Sequence, residues 1–251
     1  MQFASIVRVV LSALLLAALS AVTSAQHQNV AGTPALVRAA TSAVGDSADA
    51  RAIDEMLRGT SGRDRRWTKR PHLVVLTTVM TFAEGPRTDY TATEIPLSQA
   101  ELQALAKDLT AGLTLLSGHT FDAFASVRFE TPEAGTAVRV VRDGEIVAAR
   151  FRGVRAILKA VGYGGRTTRK DGTIMSGTVM LDEDYDRSDR RRNLLRMHEL
   201  GHALGYNHVE SQRSIMNATL GAEPTDFDRK VARIAFSHFA PATPRDILAR
   251  N

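Results

Sequence analysis

The chain has 251 residues, 44% of them hydrophobic and 24% charged, enough apolar material for one packed domain with segments left over. A net charge of +5 and a pI near 9.9 do not make it a nucleic-acid binder, because the basic side chains are spread out and interleaved with acidic ones. The absence of cysteine excludes disulfide stapling, lipid attachment through a cysteine and any thiolate ligand.

Met1 to Arg8 carries one positive side chain, Val9 to Leu19 is an almost unbroken apolar run, and Thr23-Ser24-Ala25 supplies small residues suited to cleavage. Residues 1–25 read as a secretory signal peptide, which implies a secreted or periplasmic protein. The apolar run falls short of the ~20 residues that span a bilayer, and a retained N-terminal anchor is the alternative. Residues 26–70 are rich in Ala, Ser, Thr, Gly and charge, with a weak helical pattern around Ala48 to Leu57. They read as a low-complexity arm or a short pro-segment ahead of a domain over 71–251, with Trp67 marking where packing begins.

His72 to Phe82 is an apolar, β-branched run that predicts a buried strand. Leu97 to Leu116 places Leu102, Leu105, Leu109, Leu113 and Leu116 at helical period, with Ser98 and Glu101 forming a capping box. Phe121 to Glu130 and Ala137 to Val141 read as strands, and Asp143-Gly144 as a hairpin turn returning into Ile146 to Phe151. A glycine-rich loop at Gly162 to Gly165 leads to a last strand, Ile174 to Leu181. The mixed run from Asp182 to Arg192 reads as a solvated, self-neutralising face. A helix is expected from Ser188 or Asp189 to Leu204, another from Pro224-Thr225-Asp226 to about Phe239, and a short one from Thr243-Pro244.

The helix ending at Leu204 carries the most informative string of the chain, His198-Glu199-Leu200-Gly201-His202-Ala203-Leu204-Gly205-Tyr206-Asn207-His208. Residues four apart share a helix face, so His198 and His202 can present their imidazoles to one metal ion. Glu199 lies beside them as a base for a water polarised by that ion. Gly205 can end the helix with positive φ, after which the chain turns and brings His208 as a third nitrogen ligand. Three histidines with one open position describe a catalytic zinc site rather than a structural one.

Ser214-Ile215-Met216-Asn217 follows at the distance of a Met-turn, and HExxHxxGxxH followed by that methionine resembles the metzincin peptidases, within them the matrixin-like families. The resemblance implies an α+β, zincin-like catalytic domain. Its parts are a twisted, mixed five-stranded sheet with an antiparallel edge strand, an active-site helix, a Met-turn and a C-terminal helix. It also implies a polypeptide substrate, a monomer, one catalytic Zn2+, and Met216 as a hydrophobic base beneath the metal. An extended substrate is expected to pair with an edge strand, for which Gly177, Thr178, Val179, Met180 and Leu181 are the candidates.

Departures from the family pattern bear on specificity and ions. Ala218 stands where matrixins usually have proline, which alters the wall of the main specificity pocket; it also removes the tyrosine found there in astacins and serralysins. Asp182-Glu183-Asp184 resembles the acidic run that holds Ca2+ in the family, but Tyr185 stands where a glutamate ligand is expected. The remaining histidines, His27, His72, His119 and His238, are scattered, so no second, structural zinc is expected. Two other functions compete with an endopeptidase: a zinc-holding module that binds peptides without cleaving them, and a hydrolase of cell-wall peptides.

Overall fold

The computed structural model describes residues 48–82, 90–188, 191–219 and 222–239. The signal peptide and the helix expected at Thr243-Pro244 lie outside these residues. In chain order the elements are α1 (Ala48–Arg58), β1 (His72–Leu76), β2 (Thr78–Phe82), β3 (Tyr90–Pro96), α2 (Gln99–Leu116), β4 (Val127–Glu130), β5 (Glu145–Arg152), α3 (Val154–Leu158), β6 (Gly162–Thr168), β7 (Ile174–Asp182), α4 (Glu183–Ser188), α5 (Arg192–Leu204) and α6 (Asp226–Ala235). Single 3-10 turns follow α1 and α6. Among the described residues no helix is long and apolar enough to cross a membrane.

The fold is the expected α+β arrangement around a mixed sheet. β1 and β2 are two halves of one apolar run, and both pair with β5 in parallel. The run breaks at Thr77, where the neighbour changes: the Thr77 N–H donates to Glu130 of β4, and its carbonyl accepts from Leu97 just after β3. On its other side β5 pairs with β7 in parallel, and β7 pairs with β6 antiparallel. The sheet is thus five strands wide, with β3 and β4 sharing one margin and β6 forming the other.

Three expectations about this sheet are corrected. Ala137 to Val141 does not return through a hairpin into β5; Gly144 makes the expected turn at φ +76°, but both sides of β5 are already paired in parallel. Residues 137–141 keep a single bridge, Thr91 to Ala137. Gly177 to Leu181, expected at the edge, lies inside the sheet because its main chain pairs with β5 and β6 at once. The antiparallel edge is β6, the segment expected to be a glycine-rich loop.

β5 is buried on both faces, as a parallel strand covered on each side must be. One face meets a large core of α1, α2, α5 and α6 side chains, and the other a smaller one around Met80, Phe151 and Met180. α2 starts at the Ser98–Glu101 capping box and buries its leucine stripe. Gly112 lets α2 approach α5, since a Cβ there would come within 3.1 Å of Leu200. The main core also takes in Ala52, Ile53, Met56 and Leu57 of α1.

The acidic run is not a solvated face. Asp186 is fully buried between Arg150 of β5 and Arg196 of α5. Arg196 forks onto both Asp186 oxygens at 2.6 and 2.8 Å and reaches Asp108 of α2 at 2.7 Å, while Arg150 also donates to Glu101. Glu183 accepts from Arg152 and Arg187, and Asp182 accepts the Tyr185 N–H. Charges that look self-neutralising in sequence are so in space, but inside the protein, where they tie α2, β5 and α4 to the start of α5. The Asp182 and Glu183 carboxylates, which resemble the calcium-holding run of the family, are engaged in these bonds.

Candidate active site

α5 begins at Arg192, later than Ser188, which is the last residue of α4; Asp189, the other expected start, lies outside the described residues. It ends at Gly205, whose φ of +122° suits a residue without Cβ. Its Leu194, Leu195, Leu200, Ala203 and Leu204 are buried, and this packing fixes the rotation that carries His198, Glu199 and His202 to the cleft. The chain then turns and brings His208 back over the same point. The Nε2 atom of His208 lies 3.1 Å from that of His202 and 3.3 Å from that of His198. Among the described residues these three form the one group with metal-ligand geometry.

Orientation of the first two rings comes from main-chain carbonyls. His198 Nδ1 donates to Ile215 O at 2.7 Å, and His202 Nδ1 donates to Tyr206 O at 2.9 Å. With Nδ1 protonated, the Nε2 lone pairs face the shared point. Burial, reinforced by the neighbouring imidazoles, pushes both rings toward the neutral form, His202 down to about 3. Three nitrogens bound tetrahedrally to one zinc ion at 2.0–2.1 Å would sit about 3.3 Å apart, so the observed spacing and tautomers fit that ion.

Glu199 is 5% exposed beside the histidines. Burial pushes its carboxyl up to about 8, opposed by a hydrogen bond from the Gly164 N–H. That bond is possible because β6 runs close against α5. A Cβ at Gly164 would meet Glu199 O at 2.2 Å and His202 Cβ at 2.6 Å; one at Gly162 would meet Glu199 Oε1 at 2.5 Å. Two glycines two apart put hydrogen atoms on the strand face toward the helix, and that alternation is the signal by which the sequence could have revealed β6.

Residues 214–217, the expected Met-turn, pack against the helix that carries the first two histidines. Met216 is fully buried against Gly201, where a Cβ would come within 2.4 Å of the methionine sulfur. Ser214 N–H donates to Asn217 Oδ1, and Asn217 Nδ2 donates to the carbonyls of Val209 and Gln212. Asp228 of α6, which sequence reasoning did not single out, accepts from Ser214 Oγ, from the Ile215 N–H and from Thr225. It had one legible signal, a Thr225–Asp228 capping box at the helix start.

Arg166 of β6 was likewise missed. It donates to the His202 and Tyr206 carbonyls at 2.8 and 3.1 Å and to Asn207 Oδ1 at 2.8 Å, and burial lowers it to about 10. The edge strand is thereby tied to the turn between the second and third histidines. Above the histidines lies a cleft of about 920 Å³ bounded by residues 159–164, Leu195 and Ala218. Gly177 to Leu181 lies away from this opening, behind β6.

A sequence-family model described as Matrixin matches residues 100–232, more than half of the chain. No curated protein matches it.

Proposed function

The chain belongs to the matrixin family of peptidases, and from that premise we propose that it is an exported, zinc-dependent endopeptidase acting on polypeptides. The observation that carries the reading is the convergence of three imidazole Nε2 atoms beside a buried carboxyl in an open cleft. Export rests on the apolar run from Val9 to Leu19, outside the described residues.

His198, His202 and His208 would hold a zinc ion as neutral ligands. When bound, zinc lowers the pKa of a water toward about 7 and polarises the scissile carbonyl. A dication held by the neighbouring histidines would favour the ionised form of Glu199 against the effect of burial; the carboxylate would then accept the proton of the attacking water and deliver it to the leaving amine, with the Gly164 N–H keeping it aimed. β6 receives the substrate: among the described residues it is paired on one side only, so an extended peptide can add to its other edge by main-chain hydrogen bonds. Ala218 contributes to the wall of the cleft without the rigidity of a proline.

Hydrolysis of a quenched fluorescent peptide library tests the proposal, run with zinc, with chelator and with Glu199→Ala. Chelator-sensitive cleavage that disappears in the variant is the expected result. Cleavage persisting in Glu199→Ala would remove the glutamate from its role, and stoichiometric zinc without cleavage would favour a peptide-binding module.

A further inference from the structure

His208 is held differently from the other two histidines. Among the described residues, nothing accepts a hydrogen bond from its Nδ1, whereas His198 and His202 each have a carbonyl partner there. The position of its ring therefore depends on its backbone, and α1 grips that backbone on both sides. On the N-terminal side, the Asn207 N–H and the Asn207 Nδ2 both donate to Met56 O, at 2.8 and 3.1 Å. Met56 lies in the last turn of α1, where carbonyls lack partners within the helix. Asn207 Oδ1 accepts from Arg65 at 3.0 Å and from Arg166 at 2.8 Å, so the amide is bonded through both its oxygen and its nitrogen. On the C-terminal side, Glu55 accepts the Glu210 N–H at 2.9 Å and the Ser211 hydroxyl at 2.7 Å.

The grip is itself anchored. Ala52, Ile53, Met56 and Leu57 are in the main core, Asp49 pairs with Lys230 of α6 at 2.9 Å, and Trp67 Nε1 donates to Ala203 O at 3.1 Å. All of this chain precedes residues 100–232, the stretch matched by the family model. A ligand on an irregular loop must be ordered when the metal binds, and a brace that orders it beforehand removes that cost.

We propose that Glu55 and Asn207 are positioning residues for His208, and that residues 48–67, which carry Glu55, stay attached as the support of the His208 loop rather than forming a removable pro-segment. The inference rests on the zinc-peptidase reading. Any activating cleavage then falls before Ala48.

The test uses the full chain with Glu55→Ala, Glu55→Gln and Asn207→Ala, and Asp54→Ala as the control, since Asp54 pairs with Arg58 one turn along the same helix. Zinc affinity is measured by competition with a chromophoric chelator, ligand geometry by the visible spectrum of the cobalt(II) form, and turnover with a peptide substrate. Glu55→Ala is expected to weaken zinc affinity about tenfold and Asn207→Ala by about 10–100-fold, each with a changed cobalt spectrum. Glu55→Gln recovers most of the loss, because its amide oxygen still accepts the Glu210 N–H and its Nε2 can donate to the Ser211 hydroxyl. Glu55 is half-buried, so its variants keep the fold and decide the matter even if Asn207→Ala does not. Folded Glu55→Ala with native affinity and spectrum overturns the brace, as does a fully active natural form starting after residue 67. Wild-type protein that neither binds zinc nor cleaves peptide would overturn the peptidase reading and the brace together.

Discussion

The Ile215 N–H donates to Asp228 Oδ2 at 3.2 Å, while the carbonyl of the same residue accepts from His198 Nδ1 at 2.7 Å. One peptide segment thus links a buried carboxylate on α6 to the first imidazole. Asp228 also accepts from Ser214 Oγ and from Thr225, and it is fully buried. Asp228→Ala leaves several buried donors without an acceptor and removes one half of the capping box of α6, the bond from the Thr225 N–H; it is expected to cost about 3 kcal/mol in urea unfolding. Zinc affinity should fall about tenfold as His198 loses its fixed partner. A variant with unchanged zinc affinity would show that the Met-turn holds its shape without α6.

The approach of β6 to α5 gives a second expectation. Gly164→Ala puts a Cβ 2.2 Å from Glu199 O, which no rotamer change can relieve because the obstacle is main chain. The strand must lift, carrying the Gly164 N–H away from Glu199 and widening the cleft. A displacement near 1 Å at a catalytic group costs on the order of 100-fold in rate. kcat/KM on a peptide substrate is expected to drop by about that factor while the zinc content stays whole. Native kcat/KM in Gly164→Ala would mean that the edge strand does not need its close contact.

What the sequence disclosed and what it hid divide by separation along the chain. His198, Glu199 and His202 are legible because i, i+4 spacing on a helix is a local rule, and Gly205 marks the turn that returns His208. The Ser98 cap and the leucine stripe of α2 are local in the same way. β6 was hidden because glycine lowers strand propensity, even though here it is what admits the strand beside the helix. The interior place of β7 could not be read from its own residues, since it depends on β6 being a strand. The Glu55 and Asn207 bonds join positions about 150 apart, and the Arg196–Asp108 pair spans 88. No spacing rule reaches that far.

The Arg150–Asp186–Arg196 cluster carries a stability expectation of its own. Asp186 is the carboxylate shared by two guanidiniums, each 1% exposed. Asp186→Ala leaves two like charges buried together, each keeping one less buried carboxylate, Glu101 or Asp108, a more severe loss than deleting the whole cluster. The cost is expected at about 3–5 kcal/mol in urea unfolding. Combining Asp186→Ala with Arg196→Met should return part of it, because the second change removes one of the stranded charges. A double variant less stable than Asp186→Ala would mean that Arg196 contributes mainly through its packing and its bond to Asp108.

Acid sensitivity should trace in part to Glu101. Burial alone would raise its carboxyl, but the Ser98 N–H and hydroxyl and the Arg150 guanidinium outweigh this and hold it down at about 2. A carboxyl with a lowered folded-state pKa binds protons more readily when unfolded. Its contribution is therefore complete above its ordinary pKa near 4.5 and drains away as pH falls from there toward 2. The group is partly exposed, so solvent screening trims the effect to about 2 kcal/mol. Glu101→Gln keeps a capping-box side chain but lacks the titrating charge. At pH 7 the wild type should be the more stable in urea by about that amount, and the two unfolding midpoints should draw together between pH 4.5 and about 2. A gap that stays constant over that range would place the acid sensitivity in other carboxylates, Glu130 among them, which Arg142 and Arg128 hold below its ordinary range.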